Sequence, residues 1–225
     1  MGSEPLLFQI GFNKCATSAL FFLFLKSGYN ALHSGGKFYK RKNGGLLKNI
    51  NPQRMINDNI TAGRAPLEGL ERFHAFFDME FKKRGLNIEN FLHYKVFAEH
   101  YPHAKFLLNI RDKDKWLRSR IRHSDGFYLQ SEMDRLGLTE KQTTEKWAAF
   151  FDRHIANVQS YFENDPDRLI VFNTDHDDIG KVISAVSPDF TLRRKRWGRV
   201  RQTDQVVEKK GWDDVGASTP LKIAA

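Results

Sequence analysis

Cysteine is almost absent: of 225 residues, only Cys15 carries a thiol. Disulfide frameworks and cysteine-built zinc clusters are therefore excluded within one chain. No apolar run is long enough to be a membrane span. Ala19 to Leu25 is too short to cross a bilayer, and Lys14 and Lys26 bracket it. The first apolar run already begins at Leu6 with no secretory leader ahead of it, so a cytoplasmic, soluble protein is expected. No internal repeat is present. The glycine-rich nucleoside-triphosphate loop G-x-x-x-x-G-K-[ST] is missing, as is an evident acidic strand end for Mg²⁺, which disfavours ATP or GTP hydrolysis. There is no compact metal-ligand cluster, and no metal is expected.

What the chain does hold is aromatic and basic. Hydrophobic residues make up 40% and include 19 Phe, which argues for a packed core and against disorder. The formal net charge of +9 points to an anionic partner: a nucleotide, a nucleic acid, an acidic glycan or a membrane surface.

Strand-like and helix-like runs alternate. LLFQIGF (6–12) is a continuous apolar strand and TSALFFLFLKSG (17–28) a helix ending at Gly28. NALH (30–33) reads as a short second strand, RFHAFFDM (72–79) as a buried strand and KFLLNIRD (105–112) as a clear one. Segment 88–104 reads as helical until Pro102, 113–123 as a helix, and 139–164 as a long amphipathic helix capped by Thr139. RLIVFNT (168–174) is the last strand and 178–187 the last helix. Residues 33–45 are glycine-rich and basic and read in part as a mobile loop. This alternation predicts one α/β domain with a mostly parallel sheet, a core over about 6–190 and a basic, mobile tail over 191–225.

Two strand-to-helix junctions carry chemistry. In QIGFNKCATSAL (9–20) the chain enters a helix whose first N–H groups lack intrahelical partners; with the helix dipole they attract a phosphate. Lys14 adds a full charge, and Thr17 and Ser18 add hydroxyl donors. In FLLNIRDKDKWLRSRIRH (106–123), Arg111 ends a strand and Ser119 follows eight residues later, about two helical turns. Arg111 offers a fork suited to a terminal phosphate; the alternative is a surface pair with Asp112 or Asp114.

Together these stretches resemble the PAPS-dependent sulfotransferases, most closely small bacterial-type members with a G-F-N-K-C-G-T-T-S-L loop. LHSGGK (32–37), FFDM (76–79) and YPHAKFLLNIRD (101–112) extend the likeness over roughly residues 6 to 180. Three departures stand out. Ala16 replaces a glycine, which is tolerable if its φ stays negative. Ser18 replaces a threonine, and Ser34 replaces an aromatic residue. The family's C-terminal nucleotide loop has only a loose echo in EKKGWDD (208–214), so Lys210 is given no role.

The resemblance implies a P-loop-like three-layer α/β/α fold and transfer of a sulfuryl group from PAPS, with PAP as product, to a hydroxyl or amine. It implies that Lys14 bridges the 5′-phosphate and the bridging oxygen. Lys14, Cys15, Ala16, Thr17, Ser18 and Ala19 would bind the 5′-phosphate through side chains and loop N–H groups, and Arg111 and Ser119 the 3′-phosphate. For the general base, Asp78 matches the family's F-x-D position and is the first choice; His33 is the second, and Glu80 and His74 remain open. Strand alternation would put His74, Asp78 and Glu80 on one face. His93, His100, His103, His123 and His154 read as helix-surface residues. The basic run RRKRWGRVR (193–201) reads as a solvated tail, or as a cap on the cofactor.

The rival readings are a nucleotide kinase-like enzyme, a non-catalytic PAP binder, and a basic nucleic-acid-binding domain using Trp197 among arginines. A small-molecule acceptor is expected, with no nucleic acid and no membrane span. The sequence does not determine the oligomeric state.

Overall fold

The computed structural model describes residues 5–35, 51–83 and 86–198. β1 (Leu7–Gln9) leads through a loop into α1 (Thr17–Ser27), which ends on left-handed Gly28, and β2 (Ala31–His33) follows. α2 (Pro52–Thr61) begins where the Asn51 side chain accepts from the N–H groups of Gln53 and Arg54, with proline in the first turn. β3 (Ala75–Phe77) precedes an antiparallel pair, β4 (Glu80–Lys83) and β5 (Leu86–Glu89). After a short 3₁₀ turn come α3 (Tyr94–His100), β6 (Lys105–Ile110), α4 (Lys113–Ile121), α5 (Phe127–Leu136) and α6 (Glu140–Tyr161). Thr139 caps α6 with a reciprocal capping box to Gln142, as the sequence indicates. β7 (Leu169–Asn173) and α7 (Gly180–Val186) complete the described elements.

β1, β2, β3, β6 and β7 form one parallel sheet in the order β2-β3-β1-β6-β7. Its short strands are buried on both faces, and successive side chains enter two different cores. Phe8, Phe76, Phe106 and Leu108 face the layer of α2 to α6, meeting Phe97, Trp116 and Phe151. Leu7, Ala75, Phe77 and Leu107 face α1 and α7, meeting Phe21, Phe24 and Val182. Phe8 sits at the hub, its ring 4.6 Å from Phe97, 5.3 Å from Phe76 and 5.6 Å from Phe106. Truncating it to Ala would cost about 3–5 kcal/mol. Helices on both faces of a parallel sheet make this a P-loop-like three-layer α/β/α fold.

Three expectations change. Segment 88–104 is not one helix: it opens as β5 and the 3₁₀ turn Asn90–His93, because the buried Asn90 amide donates to the Gln53 carbonyl (2.8 Å) and Gln53 Oε1 (2.9 Å). The β4–β5 hairpin and α5 are additions to the sequence reading. The start of the basic tail is docked. Thr191 N–H donates to the Tyr29 hydroxyl (2.7 Å), Arg194 forks onto Asp178, and Trp197 packs on Phe172 at 6.1 Å. Residues 36–45 of the basic loop, 199–225 of the tail and Lys210 lie outside the described residues. Among the described residues, no helix is long and apolar enough to cross a membrane.

Candidate active site

All five parallel strands end at one edge of the sheet, where ligands of open α/β folds bind. The loop after β1 is pressed against β6. Ile10 N–H donates to the Leu107 carbonyl (2.9 Å), and a Cβ on Gly11 would collide with the Asn109 backbone, so only glycine passes there. Lys14 (φ 62°) and Ala16 (φ 59°) are both left-handed, with Cys15 between them at ordinary φ. Interleaved handedness of this kind gathers successive N–H groups into a concavity for an anion. No side chain caps α1, and no acid sits in its first turn. Its first N–H groups, the Lys14 ammonium and the Thr17 and Ser18 hydroxyls form a donor set suited to a phosphate. The condition set for Ala16 fails: its φ is positive, so the extra methyl strains the loop.

Beneath the loop runs a buried amide chain. Gln9 Oε1 accepts from the Asp78 N–H (2.6 Å), and Gln9 Nε2 donates to Asn109 Oδ1 (2.6 Å). Asn109 Nδ2 donates to the carbonyls of Cys15 (2.6 Å) and Phe12 (3.3 Å). Two side chains thus tie the ends of β1, β3 and β6 to the loop. The sequence reading passes over both, although an amide inside an otherwise apolar strand is the signal that marks them. Trp116 Nε1 donates to the Asn13 carbonyl (3.1 Å), and His154 Nε2 meets the Ile10 carbonyl at 2.7 Å. His154 is therefore a buried core residue and not a surface one, and burial holds its pKa below the ordinary value. The buried Cys15 thiol is pushed upward for the same reason and stays protonated.

Arg111 reaches the loop from the end of β6. Its Nη1 donates to the Lys14 carbonyl (3.3 Å), while Nη2 and Nε hold Asp175 at 3.1 and 3.4 Å. The acid that pairs with it is thus neither Asp112 nor Asp114 but one from the segment after β7. Ser119 lies on the buried face of α4, alongside Trp116 and Arg120.

His33 ends β2, and Asp78 directly follows the neighbouring parallel strand β3, since His33 is in register with Phe77. His33 Nδ1 lies 3.8 Å from Asp78 Oδ2, and its Nε2 lies 3.2 Å from Ser18 Oγ, on the phosphate-type loop. Glu80 is close by: Asn13 Nδ2 donates to its carboxylate, and Ser34 Oγ donates to its backbone carbonyl (3.1 Å). Burial pushes the Glu80 carboxyl up to about 7, with Arg120 pulling it down and Asp78 pushing it further up. The expected shared face of His74, Asp78 and Glu80 does not form. Asp78 is left-handed (φ 50°), β3 stops at Phe77, and Glu80 starts the separate hairpin. His74 stands at the opposite, N-terminal end of β3, where its N–H donates to the Asn30 carbonyl (2.8 Å). His123 is half-buried just past the end of α4, and it meets Lys14 Nζ at 3.3 Å.

The arrangement brings a lysine-bearing loop, an arginine fork and a histidine–carboxylate pair to one strand edge. A transfer from an anionic donor can draw on positioning and charge stabilisation of this kind. No curated protein matches the chain. The sulfotransferase domain family model does match, over residues 7–133, a span that runs from the first strand through the loop, the His33–Asp78 pair and Arg111 to α5. That match covers more than half of the chain, and the protein belongs to the sulfotransferase domain family.

Proposed function

We propose that this protein transfers a sulfuryl group from PAPS to a hydroxyl or amine of a small acceptor, as one domain. The observation that carries the reading is the loop from Asn13 to Ala19, which has left-handed backbone at Lys14 and Ala16, an uncapped helix start, and Arg111 bonded to its Lys14 carbonyl. The loop donors suit one phosphate, and the Arg111 guanidinium suits a second. PAPS, when bound, supplies the activated sulfuryl group.

The chain's own residues do the rest. Lys14 places its charge where the leaving oxygen develops negative charge. The N–H groups of Lys14 to Ala19, with Thr17 and Ser18, hold the 5′-phosphate. Arg111 and Ser119 take the 3′-phosphate, with Asp175 orienting the guanidinium. His33 accepts the acceptor's proton at Nε2, and Asp78 faces Nδ1 to stabilise the imidazolium that results. This reverses the order suggested by the F-x-D resemblance: His33 Nε2 faces Ser18 on the loop, and Asp78 sits on the far side of the ring where it can orient it.

The test is PAP release from PAPS with a panel of phenols, alcohols and amines. Acceptor-dependent release that vanishes in Lys14→Met supports the reading, and release by no acceptor contradicts it.

A further inference from the structure

We propose that His123 is a positioning residue for Lys14: its neutral imidazole holds the lysine ammonium over the phosphate loop before the nucleotide arrives. The inference rests on the sulfotransferase reading above. His123 Nδ1 lies 3.3 Å from Lys14 Nζ. An ammonium offers donors only, so Nδ1 is the acceptor and the ring proton sits on Nε2.

Backbone hydrogen bonds fix the residue that carries this ring. His123 follows α4, where its N–H donates to the Arg120 carbonyl (3.2 Å) and its own carbonyl accepts from Tyr128 N–H (3.4 Å). Its ring packs on Tyr128 with centroids 5.5 Å apart. Three consecutive left-handed residues come next: Ser124 and Asp125 at φ 54° and Gly126 at φ 83°. Two of these carry a Cβ, a conformation that costs free energy and persists only where the surroundings enforce it. Lys14, on the other side of the contact, is itself left-handed at φ 62°. Strained backbone therefore flanks the pair on both sides.

The consequence is pre-organisation. A lysine side chain has four rotatable bonds, and ordering it upon anion binding weakens affinity. A side chain already held at Nζ avoids most of that loss. His123 thus acts on nucleotide binding through Lys14.

A double-mutant cycle tests this by calorimetric titration of PAP. The variants are His123→Ala, His123→Asn and His123→Phe, each made alone and in a Lys14→Met background. Asn places an acceptor oxygen near the position of Nδ1. Phe keeps the ring contact with Tyr128 but accepts nothing. Ala and Phe are expected to weaken PAP binding roughly threefold to tenfold, with Asn within about twofold of wild type and no effect of either Ala or Phe once Lys14 is Met. Unchanged affinity in His123→Ala, equal losses in Asn and Phe, or the same loss with and without Lys14 overturns the assignment. A wild-type protein that binds PAP no better than AMP overturns the sulfotransferase reading as well. The two failures are told apart because only the first leaves the wild-type preference for PAP intact.

Discussion

Ser18 Oγ and His33 Nε2 lie 3.2 Å apart, which joins the phosphate-type loop directly to the imidazole at the end of β2. The ring nitrogen facing the loop is the one that would accept a proton from an acceptor. An anion on the loop competes for the Ser18 hydroxyl and frees that nitrogen. PAP binding is therefore expected to shift the His33 ring resonances in wild-type protein and to shift them much less in Ser18→Ala. Equal shifts in both would show that the hydroxyl is not the link.

The 3.8 Å approach of His33 Nδ1 to Asp78 Oδ2 assigns unequal roles to the two residues. His33→Ala should slow transfer by about 10²–10⁴-fold, the usual contribution of a general base. Asp78→Asn should slow it less, and both should leave PAP affinity within about threefold, because neither is assigned to phosphate. Single-turnover rates with an accepted substrate measure this. A larger loss in Asp78→Asn than in His33→Ala would restore Asp78 as the base.

Ala16 is strained at φ 59°. Glycine has no Cβ to clash there, so Ala16→Gly should stabilise the fold by about 1 kcal/mol. In a chain of this length that raises Tm by about 2–4 °C. Ala16→Val should lower it, and thermal melts of the two variants check the sign.

Asn109 satisfies Gln9 and two loop carbonyls with one buried amide. Asn109→Ala leaves those groups unpaired, at about 1–3 kcal/mol for each one stranded. Gln9→Ala adds little on top of it, because the two amides act as one chain. Urea unfolding of the single and double variants measures the coupling.

Glu80 titrates at about 7 in the folded protein against an ordinary 4.5, chiefly through burial. Between those values the unfolded carboxyl has lost its proton while the folded one keeps it. The unfolded state then binds fewer protons, so this group's contribution to stability falls as pH rises from about 4.5 to about 7 and is level above that. Glu80→Gln removes the titration. Its stability relative to wild type should therefore rise between pH 4.5 and pH 8, as read by urea unfolding at both.

Much of this site could be read from the linear sequence, because the strand-to-helix junctions at 9–20 and 106–123 carry their own chemistry. Arg111, His33 and Asp78 all stand where a strand ends, Lys14 lies in the loop that follows one, and parallel strands bring their ends to one edge. What could not be read depends on which strands are neighbours. The pairing of His33 with Asp78 needs β2 beside β3, and the Gln9–Asn109 bond spans a hundred residues of sequence. The Arg111–Asp175 pair needs β7 beside β6. Alternation does not carry through Asp78 to Glu80, because the backbone turns left-handed there, and His74 lies at the other end of β3. The hairpin was hidden because Glu80–Lys83 is short and mostly charged, so no apolar alternation marks it.

The central claim is that the loop and Arg111 form one site for a nucleotide with phosphates at both ends. Calorimetric titration of PAP and AMP into wild-type protein and Arg111→Ala tests it most directly. The expected result is PAP binding well ahead of AMP in the wild type, a drop of about 10- to 100-fold for PAP in Arg111→Ala, and AMP weak and unchanged. Equal affinity for PAP and AMP in the wild type, or a PAP affinity untouched by Arg111→Ala, would contradict it.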